Sequence, residues 1–145
     1  MAITTAMCTS FKGELLGGTH DLDTHTLKLA LIKDSPSGTY GAATTNYSDV
    51  TGNSDEATGT NYTAGGQNLD GATISTTGTT AIVDFTDEVF SNVTTSADGC
   101  IIYNSSASNK AICVIDFGGT VSATAGDLTI EFPAADASNA VIRIA

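Results

Sequence analysis

Positive charge is scarce in this chain of 145 residues: five Lys and Arg stand against 16 Asp and Glu, a net charge of −11. That balance repels a phosphate backbone and an anionic lipid surface alike, so neither nucleic acid nor a membrane is an expected partner. Charge of either sign is thin, at 14% against about 25% in an average domain. The acidity that remains favours solubility, or docking onto a basic surface. Long apolar runs are missing too, and the stretch from Ala111 to Ile115 falls far short of a bilayer span. The opening residues have no basic stretch ahead of an apolar one, so no secretory signal is expected, and folding in a cytoplasm is. Cys8, Cys100 and Cys113 are odd in number and lack Cys-x-x-Cys spacing. They read as reduced, buried thiols and not as a disulfide framework or a zinc site.

Thr, Ser, Ala and Gly fill the space that charge leaves. Thr is β-branched and suits a pleated, half-buried surface, while Gly, Asn, Asp and Ser supply turns. The length is that of a single domain, residues 1–145, able to close a core without metal or disulfide support. Residues 1–18 read as an arm followed by a short helix over Phe11-Lys-Gly-Glu-Leu-Leu16, stopped at Gly17-Gly18. Phe11 and Leu15, four apart, share one face of it. From Leu27 to Ile32 the chain alternates as a strand. Residues 35–66 show no period and form a long loop in which Tyr40, Tyr47 and Tyr62 recur; this is the region expected to face a partner. Short strands then follow over 67–75, 79–86, 89–90, 99–103, 111–117, 127–132 and 140–144, with turns at 104–109 and at Gly118-Gly119. The expected class is all-β, a β-sandwich or jelly-roll-like pair of sheets.

Residues of chemical interest are few. His20-Asp21-x-Asp23-x-His25 places two imidazoles and two carboxylates in six residues, but without the Gly and bidentate Glu of a calcium loop. Asp and Thr also bond local backbone N–H groups, so a turn is the better reading. There is no Gly-x-Ser-x-Gly elbow, and Asp87-Glu88 would point to opposite faces of a strand. Tyr62-Thr-Ala-Gly-Gly66 lacks the Lys of a phosphate loop and reads as a bulge or turn. Asn46, Asn61, Asn92 and Asn104 head Asn-x-Ser/Thr triplets, which are common by chance in so Ser- and Thr-rich a chain. The tyrosines of the long loop invite a glycan-binding reading. With no Trp in the chain, their more ordinary task is to pin that loop to a sheet. No catalytic residue, cofactor or metal site is expected.

Several segments together resemble small tailed-bacteriophage virion proteins: Phe11-Lys-x-Glu-Leu-Leu, Thr19-His-Asp-Leu-Asp-Thr with Leu27-Lys-Leu-Ala-Leu31, Asn61-Tyr-Thr-Ala-Gly-Gly66, Ala81-Ile-Val-Asp-Phe85, Ile102-Tyr-Asn-Ser105, Val114-Ile-Asp-Phe117, and Ile130-Glu-Phe-Pro-Ala-Ala135 through Val141-Ile-Arg-Ile144. The resemblance spans most of the chain. It implies a capsid decoration (cement) protein or another virion component, made in the host cytoplasm and carried on the capsid surface. It also implies a homo-oligomer, expected as a trimer, bound to the major capsid protein. On this reading Phe11, Leu15 and Leu16, or the loop bearing Tyr40, Tyr47 and Tyr62, meet the shell. The alternatives are a tail, neck or baseplate component, or a glycan-binding adhesin of the particle.

Overall fold

In a computed structural model, which describes residues 2–145, the chain is all-β, its strands lying mostly in two antiparallel sheets. The arm contributes β1 (Ala2–Ile3) and β2 (Ala6–Met7) before α1 (Thr9–Leu16). Gly13 and the absence of a side-chain N-cap make α1 weak on its own, and packing holds it. Phe11 is fully buried, worth about 1.5–3 kcal/mol on the scale of apolar transfer. Its ring meets His20 edge-on at 4.9 Å. The helix ends where Gly17 N–H returns to Gly13 O, and Gly18 takes a φ of +78° that a β-carbon would disfavour.

Next come β3 (Leu27–Lys33), β4 (Thr39–Tyr40), α2 (Ser48–Gly52), β5 (Gln67–Asn68), β6 (Thr73–Thr77) and β7 (Thr80–Asp84). A long hairpin, β8 (Glu88–Asn104) and β9 (Lys110–Ile130), comes after them, and β10 (Ile142–Ile144) completes the strands. The larger sheet has the order β2-β9-β8-β3-β5, the smaller β10-β7-β6, and β1 runs parallel to β4. Both sheets, α1 and the 35–66 segment feed one core, with Phe11, Leu29, Tyr40, Val50, Val83, Phe90, Ile101 and Ile142 among its members.

Three expectations about strands are corrected. The short strands at 89–90 and 99–103 are parts of one strand of 17 residues, and those at 111–117 and 127–132 are parts of one of 21. Gly118-Gly119 is accordingly no turn between strands. It sits in a bulge of β9, where the register shifts between the Ala97–Val121 and Gly99–Asp116 pairs. The strand expected over 67–75 is split: β5 pairs with β3 in the large sheet and β6 with β7 in the small one. The turn at 104–109 holds, closed by a 3-10 turn over Ser105–Ala107 with Ser108 and Asn109 at positive φ. Alternation in β3 gives way to burial on both faces from Leu29 to Ile32, as befits an inner strand.

Candidate interaction surface

The 35–66 segment is an edge cover. β5 pairs only with Lys28 and Leu29, so the outer edge of β3 beyond them would be bare. Residues 55–62 fill that gap. Ala57 N–H donates to Leu31 O, Lys33 N–H to Asp55 O, and Leu31 N–H to the Tyr62 hydroxyl at 2.9 Å. Glu56 forms a bridge with Ile32. An unpaired edge invites foreign strands, and a covered one does not.

Two neighbouring carboxylates hold the cover in place. Asp55, fully buried, accepts from the Tyr40 hydroxyl at 2.7 Å, from Gly38 N–H at 2.7 Å, from Ser37 N–H at 3.0 Å and from the Ser37 hydroxyl. Lys33 Nζ stands 3.0 Å from Oδ1, the oxygen that Ser37 N–H also reaches. Burial by itself pushes this carboxyl up. The hydrogen bonds from Tyr40, Ser37, Gly38 and Lys33 together outweigh it and hold the group well below the usual carboxylate range. Glu56 accepts from the Tyr47 hydroxyl, from the Tyr62 hydroxyl at 2.9 Å and from Gly65 N–H at 2.6 Å. Burial, then Asp55, pushes the Tyr40 phenol up to about 12. The Tyr62 phenol is raised further, by burial and by Glu56. Gly66 closes the segment at φ +73°, where a β-carbon would collide with Leu29 O. The glycines of Tyr62-Thr-Ala-Gly-Gly66 thus permit a close backbone approach, as a turn does.

The tyrosines therefore pin the loop. Tyr40, expected at an interface, is 2% exposed, because its hydroxyl reaches inward to Asp55. Phe11 is likewise a core residue and not a surface one. Tyr47 stacks on Tyr103 at 4.5 Å, and Tyr62 leans on Phe90 at 5.6 Å. Tyr47 and Tyr62 are half-buried, each packing its ring against one other aromatic residue. Leu15 is half-buried, and Leu16 is 91% exposed.

The His20–His25 segment is a turn. Asp21 Oδ1 accepts from Asp23 N–H and Thr24 N–H, and His25 N–H returns to Asp21 O. The two imidazoles meet at Asn104, a fully buried residue whose role the sequence did not announce. Its Oδ1 accepts from Ser106 N–H, which turns Nδ2 toward the rings. Nδ2 donates to His20 Nδ1 at 3.0 Å and to His25 Nδ1 at 2.9 Å. His20 Nε2 then donates to Glu14 at 2.8 Å, and Lys110 lies 3.3 Å from the other Glu14 oxygen. This network ties α1 to the tip of the β8–β9 hairpin. Among the described residues no three His, Cys, Asp or Glu side chains converge as metal ligands do. The thiols are buried, which pushes Cys8 up to about 12 and raises Cys100 and Cys113 as well, so thiolate chemistry is suppressed. No helix among the described residues is long and apolar enough to cross a membrane.

Two recesses in the surface are lined largely by apolar side chains. One groove of about 800 Å³ runs between the β9 side of the large sheet and the C-terminal segment, lined by Ile115, Phe117, Leu128, Phe132 and Val141 among others. A second, of about 440 Å³, lies between α1 and the small sheet. Neither was legible as a groove in the sequence, since each is made by segments distant along the chain. No family model matches this chain, and no curated protein or solved structure is similar to it.

Proposed function

We propose that this chain is a structural protein of a tailed-bacteriophage particle, of the capsid decoration kind. It binds the major capsid protein on the capsid surface as a homo-oligomer, a trimer, and stabilises the assembled shell. The observation that carries the reading is how the fold uses its chemistry. Both histidines, the Asp55 and Glu56 carboxylates and the loop tyrosines are engaged by partners inside the fold, while two largely apolar grooves stay open on the surface. Such a molecule is equipped to pack against other proteins. The sequence resemblance supplies the particle.

A cement protein acts by linkage: it binds the closed shell and not its separated subunits, so binding stabilises the shell. Particles lacking this chain are heated or osmotically shocked beside complete ones. Earlier loss of the genome from the deficient particles is expected, with stability restored on adding the purified chain. Equal stability removes the cement role. Quantifying the chain in intact particles separates the alternative: a decoration protein matches the capsid protein in order of copy number, whereas a tail or baseplate component is scarce.

A further inference from the structure

The junction at Asn104 is built from uncharged imidazoles, and its geometry says which nitrogens carry protons. Ser106 N–H donates to Asn104 Oδ1 at 3.0 Å, which leaves the two N–H bonds of Nδ2 to reach His20 Nδ1 at 3.0 Å and His25 Nδ1 at 2.9 Å. Both Nδ1 atoms are therefore acceptors. Two further contacts agree. His20 Nε2 points at a Glu14 oxygen 2.8 Å away and so bears that ring's proton, and Asp21 N–H adds a second donor to His25 Nδ1 at 3.3 Å.

A proton on either Nδ1 sets N–H against N–H. The two rings differ in their escape from that conflict. The His20 side chain is 0% exposed, closed in by Phe11 and Glu14, whereas His25 is half-buried and can turn a charged ring to water. Carboxylates face both rings. Glu14 of α1 lies on His20, with Lys110 of β9 behind it at 3.3 Å, and Asp21 of the turn itself attracts a charge on His25. The small sheet brings no charge to the recess that His20 lines. The carboxylates thus favour a charged imidazole while the Asn104 amide opposes one, so the amide contact is what a proton displaces.

We propose that Asn104, His20 and His25 form a proton-operated latch, closed while both rings are neutral and opened when His25 takes a proton at Nδ1. What opens is the 20–25 turn. The helix α1 stays anchored by Phe11, and Thr26 keeps its bonds to Ser105 and Ser106. His20, Asp21 and Leu22 form one wall of the recess of about 440 Å³, so the latch also sets the shape of that recess. The device is independent of the particle assigned above.

Nitrogen-15 NMR of the full chain across pH tests it. At about pH 8 both rings should show a bare Nδ1 and a protonated Nε2, and a proton on Nδ1 of either ring there overturns the latch. From about pH 8 to about pH 5, the span in which an imidazole ordinarily charges, the Asn104 side-chain amide and the His25 backbone amide should lose about tenfold or more of their protection from hydrogen exchange. Ile101, buried in β8, should keep its own. Protection unchanged over this span overturns the latch. His25→Gln offers an acceptor that takes no proton and should hold the protection through acid; a loss that persists in this variant overturns the role of His25. Asn104→Asp keeps Oδ1 for Ser106 N–H and turns the donor NH2 into an acceptor. Its His25 amide should be best protected in acid and loosen toward neutrality, the reverse of the unaltered chain, and loosening in acid would refute the latch. Should the buried carboxylate unfold that variant, His25→Gln decides alone.

Discussion

Replacing Asp55 by Asn changes one oxygen to an amide at the most heavily hydrogen-bonded carboxylate of the chain, and the geometry around it sets the cost. Gly38 N–H and the Tyr40 hydroxyl both reach Oδ2 at 2.7 Å, while Ser37 N–H and Lys33 Nζ reach Oδ1 at 3.0 Å. An Asn offers one acceptor oxygen. Whichever way it turns, its NH2 faces a backbone N–H, either that of Gly38 or that of Ser37, and one buried donor is left unmatched. The Lys33 pairing is lost as well. Breaking a buried ion pair from one side costs about 3–5 kcal/mol, and because Lys33 can return to water the low end applies, about 3 kcal/mol. For a chain of this size that lowers the melting midpoint by roughly 10 °C.

The pH dependence gives the same prediction a second reading. The folded Asp55 carboxyl titrates below its unfolded range, so its stabilisation is fully present above the unfolded value near 4 and is lost as pH falls toward the folded one. The Asn variant carries no such contribution. The gap between the two proteins, measured by urea denaturation at successive pH values, should therefore be widest at neutrality and narrow below about pH 4. A loss under about 1 kcal/mol at neutral pH, or a gap that does not change with acid, would refute the assignment of Asp55 as the anchor of the edge cover.

Gly66→Ala should cost about 2–4 kcal/mol, since the new β-carbon meets the Leu29 carbonyl and the φ of +73° disfavours it; a melting midpoint within a degree or two of the original would count against it. Glu88 is raised by burial and by Asp70, so its charge opposes folding, and that penalty grows as pH rises through its folded value. Glu88→Gln should accordingly stabilise the protein at neutral pH and lose this advantage in acid, and a destabilised variant at pH 7 would contradict the cause given. The three thiols should resist alkylation in the native protein and react together once denaturant unfolds it, read by mass spectrometry; prompt native labelling of Cys100 would show that its burial is misjudged.

The all-β class was legible because it rests on local signals: alternation in Leu27 to Ile32, branched and small polar residues, turn chemistry at 104–109. The turn reading of His20 to His25 survived for the same reason, as Asp21 bonds its own neighbours. Strand lengths were not legible. A Gly-Gly pair inside β9 looks in sequence like the turn it is not, and only the pairing of Asp116 with Gly99 and of Val121 with Ala97 makes it a bulge. The loop tyrosines were recognised as pins, but Asp55 and Glu56 were not recognised as what they pin to. Their only signal was a pair of acids in an otherwise nearly uncharged stretch. Asn104 gave less still, for its meaning depends on two histidines some 80 residues earlier.

The two edges of the large sheet are guarded by different means, and the difference bears on which surface meets a partner. At the β3 edge a loop is laid along the strand and locked by buried carboxylates. At the other edge β2 covers only Cys113 and Val114, and most of β9 beyond them has no strand beside it. From Val121 to Ile130 that edge carries a single charge, Asp127, and no Pro or Lys. By composition it should attract strands. Its pairing with β8 is interrupted several times, however, and Ala125 stands at a φ of +46° within one interruption. Bulges twist an edge away from the flat geometry that another strand requires, which is a recognised alternative to charge as protection. An edge defended in this way is a poor template for main-chain pairing between copies.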